Sequence, residues 1–214
     1  MTERNKKRVV IARHGQSTAN ESGVHEGRSA VLTTTGFLQA AMVAGEFERR
    51  GVKALMSSGE PRAIQSVHPA SARLGLTPDV NELFNERRRP SHTIGLHADD
   101  SIARHTMGLV DAGSRFSDEE SVKELLTRGY QIFQLLAAHP SGCIGIFSHA
   151  HLLRALTAIV TNRFDAGERE YRLLYDTARI DNGGICVFEY GPAHKSTEWW
   201  WHLVSWNETG HLHY

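Results

Sequence analysis

The sequence predicts an α/β protein, a three-layer α/β/α sandwich around a mostly parallel central sheet. Short apolar runs typical of strands alternate along the chain with longer segments whose small and apolar residues recur at helical spacing. One run, residues 143–147, is apolar throughout, as in a strand covered by helices on both faces. A chain of 214 residues can bury a sizeable core, and we expect one domain over residues 1–214.

The N-terminal part of the chain is predicted to contribute two strands and two helices. Residues 9–12 and 52–56 are short apolar runs that fit strands. A helix is predicted over 35–50, because apolar residues recur there at helical spacing and Gly51 follows at a position that ends helices. A second helix is predicted over Pro61–Leu74, since proline suits the first turn of a helix.

The middle of the chain differs in composition from its two ends. Residues 77–116 are rich in loop-forming residues, and we expect 87–116 to form a small cap inserted over a site. Ser117, followed three residues later by Glu120, fits a capping box and predicts a helix that reaches about His139. The remaining predicted elements are a strand over 143–147, a helix over 149–161, and strands over 185–190 and 199–205.

Composition excludes several classes of function. Lysine plus arginine and aspartate plus glutamate each number 24, so the formal net charge is zero, unlike that of a basic nucleic-acid-binding protein. No apolar run approaches the roughly 18 residues of a membrane span, and no signal-peptide pattern opens the chain. Cys143 and Cys186 lie in apolar runs and are expected in the core. We therefore expect a cytoplasmic protein that binds neither nucleic acid nor membrane.

Three of the predicted strands lead into residues that suit anion binding. Arg13 and His14 follow the first strand. His149 follows the strand at 143–147, and Arg62 lies just beyond the second strand. Ligands of open α/β sheets bind outside the carboxyl ends of the strands, so these side chains are expected to meet. Because guanidinium groups and helix N-termini both match phosphate oxygens, the sequence predicts a pocket for a phosphoryl group.

A series of short motifs runs along the chain from about residue 9 to 190. In order, they are Arg13-His14-Gly15-Gln16-Ser17-Thr18-Ala19-Asn20, Leu32-Thr33 with Gly36 and Gln39-Ala40, Ser57-Ser58 with Arg62, Asn85-Glu86-Arg87, Ser148-His149 with Leu153-Arg154-Ala155-Leu156, and Asp181-Asn182-Gly183. This series resembles the motifs of the histidine phosphatase superfamily, the phosphoglycerate-mutase-like group. The resemblance implies that the predicted sandwich is of the phosphoglycerate-mutase-like type. It also implies a phosphatase that hydrolyses phosphomonoesters through a phosphohistidine.

The resemblance also implies roles for the residues at the strand ends. His14 would be the nucleophile that takes the phosphoryl group, and its ring must be neutral to attack. Arg13, Arg62 and a cationic His149 would hold the phosphoryl oxygens and stabilise the charge that develops during transfer. No metal or other cofactor is implied, because the arginines supply the positive charge.

A carboxylate is implied as the proton donor. Glu86 would protonate the leaving oxygen and then deprotonate the water that hydrolyses phosphohistidine, and Glu82 is the rival for this role. Three further residues are assigned to the lining of the pocket: Asn20, Gly27 and Asn182.

Two local features stay open. The run Arg87-Arg88-Arg89 is either a solvated basic turn or a clamp for a second anionic group, in which Arg87 and Arg88 bind substrate. The chain departs from the family at Ala150 and His151, since glycine usually follows the second histidine. His-x-His pairs at 149–151 and 211–213 could suggest a metal site, but no aspartate or cysteine lies at ligand spacing, so none is expected.

Three functions compete. A phosphatase that acts on a small phosphorylated substrate is favoured over a cofactor-dependent phosphoglycerate mutase, because Arg88-Arg89-Pro90-Ser91 replaces the stretch that follows the acid in mutases of this type. A non-catalytic binder of a phosphorylated ligand is the third, and it would not need the nucleophile. The strand Trp199-Trp200-Trp201 could lie under a partner, which leaves a homodimer open.

Overall fold

The computed structural model describes residues 5–103, 117–192 and 197–213. Six strands form one sheet: β1 Lys7–Arg13, β2 Ala54–Ser57, β3 Pro78–Val80, β4 Cys143–Ser148, β5 Ile185–Pro192 and β6 Trp199–Glu208. Their order is β3-β2-β4-β1-β5-β6. The first four pair in parallel, whereas β5 and β6 join as antiparallel strands. Strands β1 to β4, three of which lead into predicted site residues, therefore form the parallel part of the sheet.

Besides residues 101–103, which are also helical, six α-helices lie in the described part of the chain. They are α1 Thr18–Ser22, α2 Thr34–Arg49, α3 Pro61–Leu74, α4 Val122–Ala138, α5 Ala150–Thr161 and α6 Glu168–Thr177. Short 3₁₀ turns span Glu82–Phe84, Ser91–Thr93 and Gly210–Leu212.

Alternation along β1 separates two hydrophobic cores. Val9 and Ile11 point to one face, where they pack with α4, α5 and α6. Val10 and Ala12 point to the other face, where they pack with α2 and α3. All four side chains are at most 1% exposed. Since both faces of the central strands are covered by helices, the predicted three-layer sandwich is confirmed.

One predicted helix start is wrong. Helix α4 begins at Val122, and its capping box is formed by Ser121 and Glu124 rather than by Ser117 and Glu120. The Glu120 carboxylate instead pairs with Arg128 at 2.6 Å, within α4. The Ser117 hydroxyl donates to Glu119 Oε2 at 3.1 Å. Ser117 and Ser121 are each followed three residues later by a glutamate, so the capping-box pattern alone does not distinguish between them.

Several short elements were not predicted. Helix α1, strand β3 and helix α6 are absent from the sequence-based assignment, and β6 continues beyond Ser205 to Glu208. Strand β3 has only three residues, too few for a periodic pattern. The prediction for the cysteines is half right, because Cys186 is buried but Cys143 is only partly buried; both thiols are free.

Two loop segments outside the sheet pair through their backbones. Residues 23–27 run antiparallel to residues 94–98, and His25 exchanges backbone hydrogen bonds with Gly95 and Leu96 at 2.8 and 2.9 Å. The predicted cap at 87–116 extends beyond this pairing, and its residues 104–116 lie outside the described residues. Among the described helices, none combines the length and the hydropathy that crossing a bilayer requires.

Candidate active site

A cavity of about 990 Å³ lies at the carboxyl ends of β1, β2 and β4. These strands are parallel neighbours in the sheet, so residues that follow them meet there. The predicted site residues that line this cavity are Arg13, His14, Asn20, Gly27, Arg62, Glu86, Arg87 and Arg88. The other two, His149 and Asn182, lie against His14 instead: the His149 ring centroid is 5.1 Å from that of His14, and Asn182 binds the His14 carbonyl. The structure thus gathers all the predicted residues in one place.

The main chain of His14 is fixed from two sides. Its N–H donates to the Ser148 carbonyl in β4 at 2.9 Å. Its carbonyl accepts hydrogen bonds from Asn182 Nδ2 at 3.1 Å and from the Gly183 N–H at 3.3 Å. Gly183 has a φ of +75°, a conformation that favours glycine. The late Asn-Gly turn therefore supports the backbone that carries His14.

The loop after β1 approaches the start of α2 too closely for side chains. A Cβ on Gly15 would lie 2.2 Å from the carbonyl oxygen of Gly36, and a Cβ on Gly36 would lie 2.1 Å from that of Gln16. Ser66 Oγ in α3 accepts the Gly15 N–H at 3.1 Å. Two motif glycines and a buried hydroxyl thus fix the loop relative to α2 and α3, and with it the position of the His14 ring.

The hydrogen bonds of the His14 ring define its tautomer. Nδ1 lies 2.7 Å from the Gly15 carbonyl, which can only accept, so Nδ1 carries the proton. Arg62 Nε donates to Nε2 at 3.1 Å, so Nε2 presents its lone pair. Burial, followed by Arg62 and Arg13, holds the pKa of His14 well below 6.5. His14 is therefore a neutral imidazole whose Nε2 lone pair faces a guanidinium.

Two arginines place positive charge beside this ring. Arg13 Nη1 donates to the Ile180 carbonyl at 2.8 Å, and its buried Nε has no partner among the described residues. Burial lowers the pKa of Arg13 to about 10, which still leaves it cationic at neutral pH. Arg62 lies in the first turn of α3 and also donates to the Gly27 carbonyl at 3.4 Å. Both guanidinium groups face the cavity that contains His14.

A buried carboxylate that the sequence analysis overlooked joins this group. Glu60, 4% exposed, forms an ion pair with Arg62, and its Oε1 accepts the Glu86 N–H at 2.9 Å. Burial is the main cause that raises the pKa of Glu60, and the Glu86 charge adds to it, whereas Arg62 opposes both. Glu60 connects the arginine to the segment that carries Glu86. A sequence signal was present, because an acid directly before Pro61 occupies the N-cap position of a helix.

His149 lies behind His14 rather than on the cavity wall. Its Nε2 is 2.7 Å from Ser58 Oγ, and its buried Nδ1 has no hydrogen-bond partner among the described residues. Burial, then Arg62, His14 and Arg13, holds the pKa of His149 well below 6.5. Burial among arginines favours the neutral ring, so a cationic His149 stays a prediction for the complex with a phosphoryl group.

The Glu86 carboxylate is anchored at the N-terminus of α5. Oε1 accepts the backbone N–H groups of Arg87 at 3.0 Å, His151 at 3.1 Å and Leu152 at 3.3 Å. Among the described residues, Oε2 accepts a single and longer contact, from the His151 N–H at 3.3 Å. A helix N-terminus favours a negative group at this position. Oε2 is therefore the oxygen whose remaining lone pair can face a substrate.

Glu82, the rival acid, lies elsewhere. It is exposed, in the 3₁₀ turn Glu82–Phe84, and lines a neighbouring depression of about 520 Å³ rather than the cavity with His14. The geometry thus favours Glu86 as the carboxylate that can reach a group bound at His14.

The weaker assignments take mainly supporting positions. Asn20 Oδ1 accepts the Ser17 N–H at 3.2 Å and Asn182 Nδ2 at 2.9 Å, so it closes the cap of α1. Gly27 offers its carbonyl to Arg62. Arg87 Nε donates to the Glu120 carbonyl at 3.0 Å, and Arg88 Nε to the Asp118 carbonyl at 2.5 Å. Within 5–103, 117–192 and 197–213, no cluster of three or more His, Cys, Asp or Glu has metal-binding geometry.

Buried neutral histidines make a prediction for stability. Burial, then Arg89, Arg87, Arg154 and Arg13, holds the pKa of His151 well below 6.5. The unfolded chain binds a proton there near pH 6.5 and the folded chain does not, so the free energy of unfolding falls as pH drops below 6.5. His151→Asn should remove about 1 kcal/mol per pH unit from this slope near pH 5.5. Urea unfolding across pH 5–7 measures it.

The control is His68→Asn, on the exposed face of α3, which measures how replacing an exposed histidine changes the same pH slope. An unchanged slope in His151→Asn would show that His151 takes up its proton in the folded protein, against the electrostatics of its site.

Comparison with known proteins identifies the family of this chain. The sequence pattern of the histidine phosphatase superfamily (branch 1) matches residues 9–208. "Putative phosphoserine phosphatase 2" of Hydrogenobacter thermophilus is 38% identical over 81 residues, which are 37% of this chain and 40% of that relative. The match thus spans well under half of the relative's length.

Solved structures share the fold. A mycobacterial glucosyl-3-phosphoglycerate phosphatase in complex with VO₃ superposes with a TM-score of 0.76, at 23% identity, over 94% of this chain and 98% of the other. A histidine-to-alanine variant of phosphoserine phosphatase from Entamoeba histolytica, in complex with phosphoserine, gives 0.75 at 18% identity, over 96% and 99%. With the family pattern matched over nearly the whole chain, the protein belongs to the histidine phosphatase superfamily, branch 1.

Proposed function

We propose that this protein is a phosphatase that hydrolyses small phosphomonoesters through a phosphohistidine on His14. The observation that carries the proposal is the state of the His14 ring: Nδ1 is tied to the Gly15 carbonyl, and Nε2 presents a lone pair beside Arg62. A neutral imidazole with a fixed tautomer is what nucleophilic attack on phosphorus requires. A binder of phosphorylated ligands would need the arginines but not this tautomer.

In the first step, His14 Nε2 attacks the phosphorus atom. The N–P bond forms while the bond from phosphorus to the leaving oxygen breaks, and that oxygen takes a proton from Glu86. Oε2 is the better donor atom of Glu86, because Oε1 already accepts three backbone N–H groups. The alcohol then leaves, with His14 phosphorylated and Glu86 ionised.

Arg13 and Arg62 stabilise the transferring phosphoryl group. Both carry N–H donors into the cavity, and the Nε–H of Arg62 already points at the reacting nitrogen. Phosphoryl transfer is assisted mainly by positioning and by charge on the equatorial oxygens, which suits two fixed guanidinium groups. A bound dianion would counter the arginine charges that keep His149 neutral, so His149 can become protonated when substrate binds.

In the second step, Glu86 removes a proton from water as that water attacks phosphohistidine. The P–N bond breaks, inorganic phosphate leaves, and the proton returns Glu86 to its starting form. One carboxylate thus serves as acid and then as base, and His14 is regenerated as the neutral nucleophile.

Phosphatase activity is favoured over mutase activity by the segment after Glu86. Arg88, Arg89 and Pro90 stand where mutases of this type have a different stretch. The proteins compared above are named as phosphatases of phosphoserine and of glucosyl-3-phosphoglycerate, which supports small phosphorylated metabolites as substrates here. The thiols of Cys143 and Cys186 are free, which supports the reducing cytoplasm as the location of the protein. A homodimer stays a prediction.

Two assays test the proposal. We expect inorganic phosphate from p-nitrophenyl phosphate in the presence of EDTA, and no interconversion of 3-phosphoglycerate and 2-phosphoglycerate when a bisphosphoglycerate primer is added. Isomerisation faster than phosphate release would favour the mutase. Activity that disappears with EDTA and returns with a divalent metal would overturn the proposed mechanism.

A further inference from the structure

We propose that the cavity contains a second anion-binding subsite, built from Arg89 and Arg154, which selects phosphomonoesters with another anionic oxygen group in their leaving alcohol. This inference rests on the proposed phosphatase function and extends it to substrate choice. The sequence suggested Arg87 and Arg88 as the residues that bind a second anionic group. The structure favours Arg89 instead, because the three neighbouring arginines have different environments.

The first two arginines of the run are engaged in holding the chain. Arg87 is only 3% exposed, its Nε binds the Glu120 carbonyl, and its guanidinium lies 5.7 Å from the centre of the Tyr171 ring. Arg88 is exposed and binds the Asp118 carbonyl. Both contacts tie the loop after Glu86 to the segment that precedes α4.

Arg89 is held differently. Its Nη2 lies 3.4 Å from Nε2 of His151, a neutral ring rather than a carboxylate. Nδ1 of His151 is 2.6 Å from the Tyr171 hydroxyl, and with Nε2 turned to Arg89, Nδ1 is the donor of that hydrogen bond. His151 is buried and its pKa is held well below 6.5, so it orients Arg89 without neutralising its charge.

Arg154 approaches the same place from α5. Its guanidinium lies 5.6 Å from the centre of the Tyr175 ring, and its Nε donates to the Ala178 carbonyl at 3.1 Å. His151 stacks on the Tyr175 ring, at 5.5 Å between ring centres. The His151–Tyr175 stack therefore links Arg89 and Arg154, and all four residues line the cavity.

The charge of these two arginines is unbalanced. Within residues 5–103, 117–192 and 197–213, neither Arg89 nor Arg154 forms an ion pair with a carboxylate. In the same cavity, the Glu60 carboxylate pairs with Arg62. Two half-buried guanidinium groups held by carbonyl, imidazole and ring contacts keep N–H donors for an external anion, and guanidinium matches carboxylate and phosphate oxygens.

The subsite lies on the side of the leaving group. Arg89 follows the proposed acid Glu86 by three residues in the same loop, and the backbone N–H of His151 binds the Glu86 carboxylate. The group protonated by Glu86 is the leaving oxygen, so the alcohol portion of the substrate extends toward Arg89 and Arg154. A phosphoryl group at His14 would thus be recognised together with a carboxylate or second phosphate on that alcohol.

Matched substrates test the subsite. Phosphoserine and phosphoethanolamine differ by one carboxylate, and propane-1,3-diol bisphosphate and 3-hydroxypropyl phosphate differ by one phosphate. We expect wild type to prefer the anionic member of at least one pair, and the pair with the larger preference identifies the anion. Arg89→Gln and Arg154→Gln should each lower kcat/KM for that member about ten- to a hundred-fold, with less than about threefold loss for its partner.

Arg172→Gln is the control, because Arg172 lies on the exposed side of α6 with its side chain half exposed. Equal kcat/KM for both members of each pair in wild type, or equal losses for both in Arg89→Gln, would overturn the subsite. Calorimetric binding of the four compounds to His14→Ala gives the same comparison without turnover. If no phosphomonoester is hydrolysed but binding still discriminates through Arg89, the subsite stands and the proposed phosphatase function fails.

Discussion

His14→Ala is expected to lose about a million-fold in kcat, since removal of a covalent nucleophile removes the chemical step itself. The fold should survive, because the cores on the two faces of the sheet are formed by strand and helix side chains that His14 does not hold together. Phosphate release from p-nitrophenyl phosphate measures the loss. Far-ultraviolet circular dichroism and the urea midpoint report the fold.

His14→Asn is a companion variant whose amide can still donate to the Gly15 carbonyl, which protects the loop after β1. His68→Ala, on the exposed face of α3, is the matched control and should keep wild-type activity. Either His14 variant retaining more than a few per cent of wild-type turnover while folded would exclude His14 as the nucleophile.

Glu86→Gln is expected to affect substrates unequally. An alkyl phosphate needs a proton on its leaving oxygen, so its phosphorylation of the enzyme should slow by roughly 10²–10⁴-fold, the usual contribution of general acid catalysis. An activated aryl phosphate leaves as a stable phenolate and should lose much less. The same change removes the base for water attack, so the variant should release a burst of phenol and then stall as phosphoenzyme.

Rapid-quench kinetics with p-nitrophenyl phosphate and an alkyl phosphate separate these effects. The matched variant is Glu82→Gln, whose carboxylate is exposed and lies outside the cavity. A burst in Glu82→Gln together with wild-type behaviour in Glu86→Gln would move the acid to the other carboxylate, against the contacts at the N-terminus of α5.

The fold class and the gathering of the site residues could be predicted because they depend on strong local signals. Residues 9–12 and 143–147 are apolar runs that fit buried strands. Arg13 and His14 follow the first of these strands, and His149 follows the second. The helix over Pro61–Leu74 was predicted with its observed bounds, because proline and glycine mark both of its ends. These features are set by a few neighbouring residues.

Other features depend on contacts between distant residues, which a single sequence does not display. Glu120, which the sequence offered as the capping partner of Ser117, instead donates its N–H to the Arg88 carbonyl at 2.9 Å, a contact between residues 32 positions apart. The neutral state of His149 follows from burial among arginines that lie far away in sequence. The different environments of Arg87 and Arg89 also depend on distant residues. Arg87 Nε binds the Glu120 carbonyl, whereas Arg89 Nη2 lies beside Nε2 of His151.

The site of phosphorylation tests the central claim most directly. Glu86→Gln, mixed with p-nitrophenyl phosphate and quenched in alkali, should carry one phosphoryl group, because phosphohistidine is stable in base and labile in acid. Peptide mapping by mass spectrometry at alkaline pH should place that group on His14, and brief acid treatment should remove it. A phosphoryl group on His149 or on any other residue, or a burst of phenol without any phosphopeptide, would contradict the mechanism.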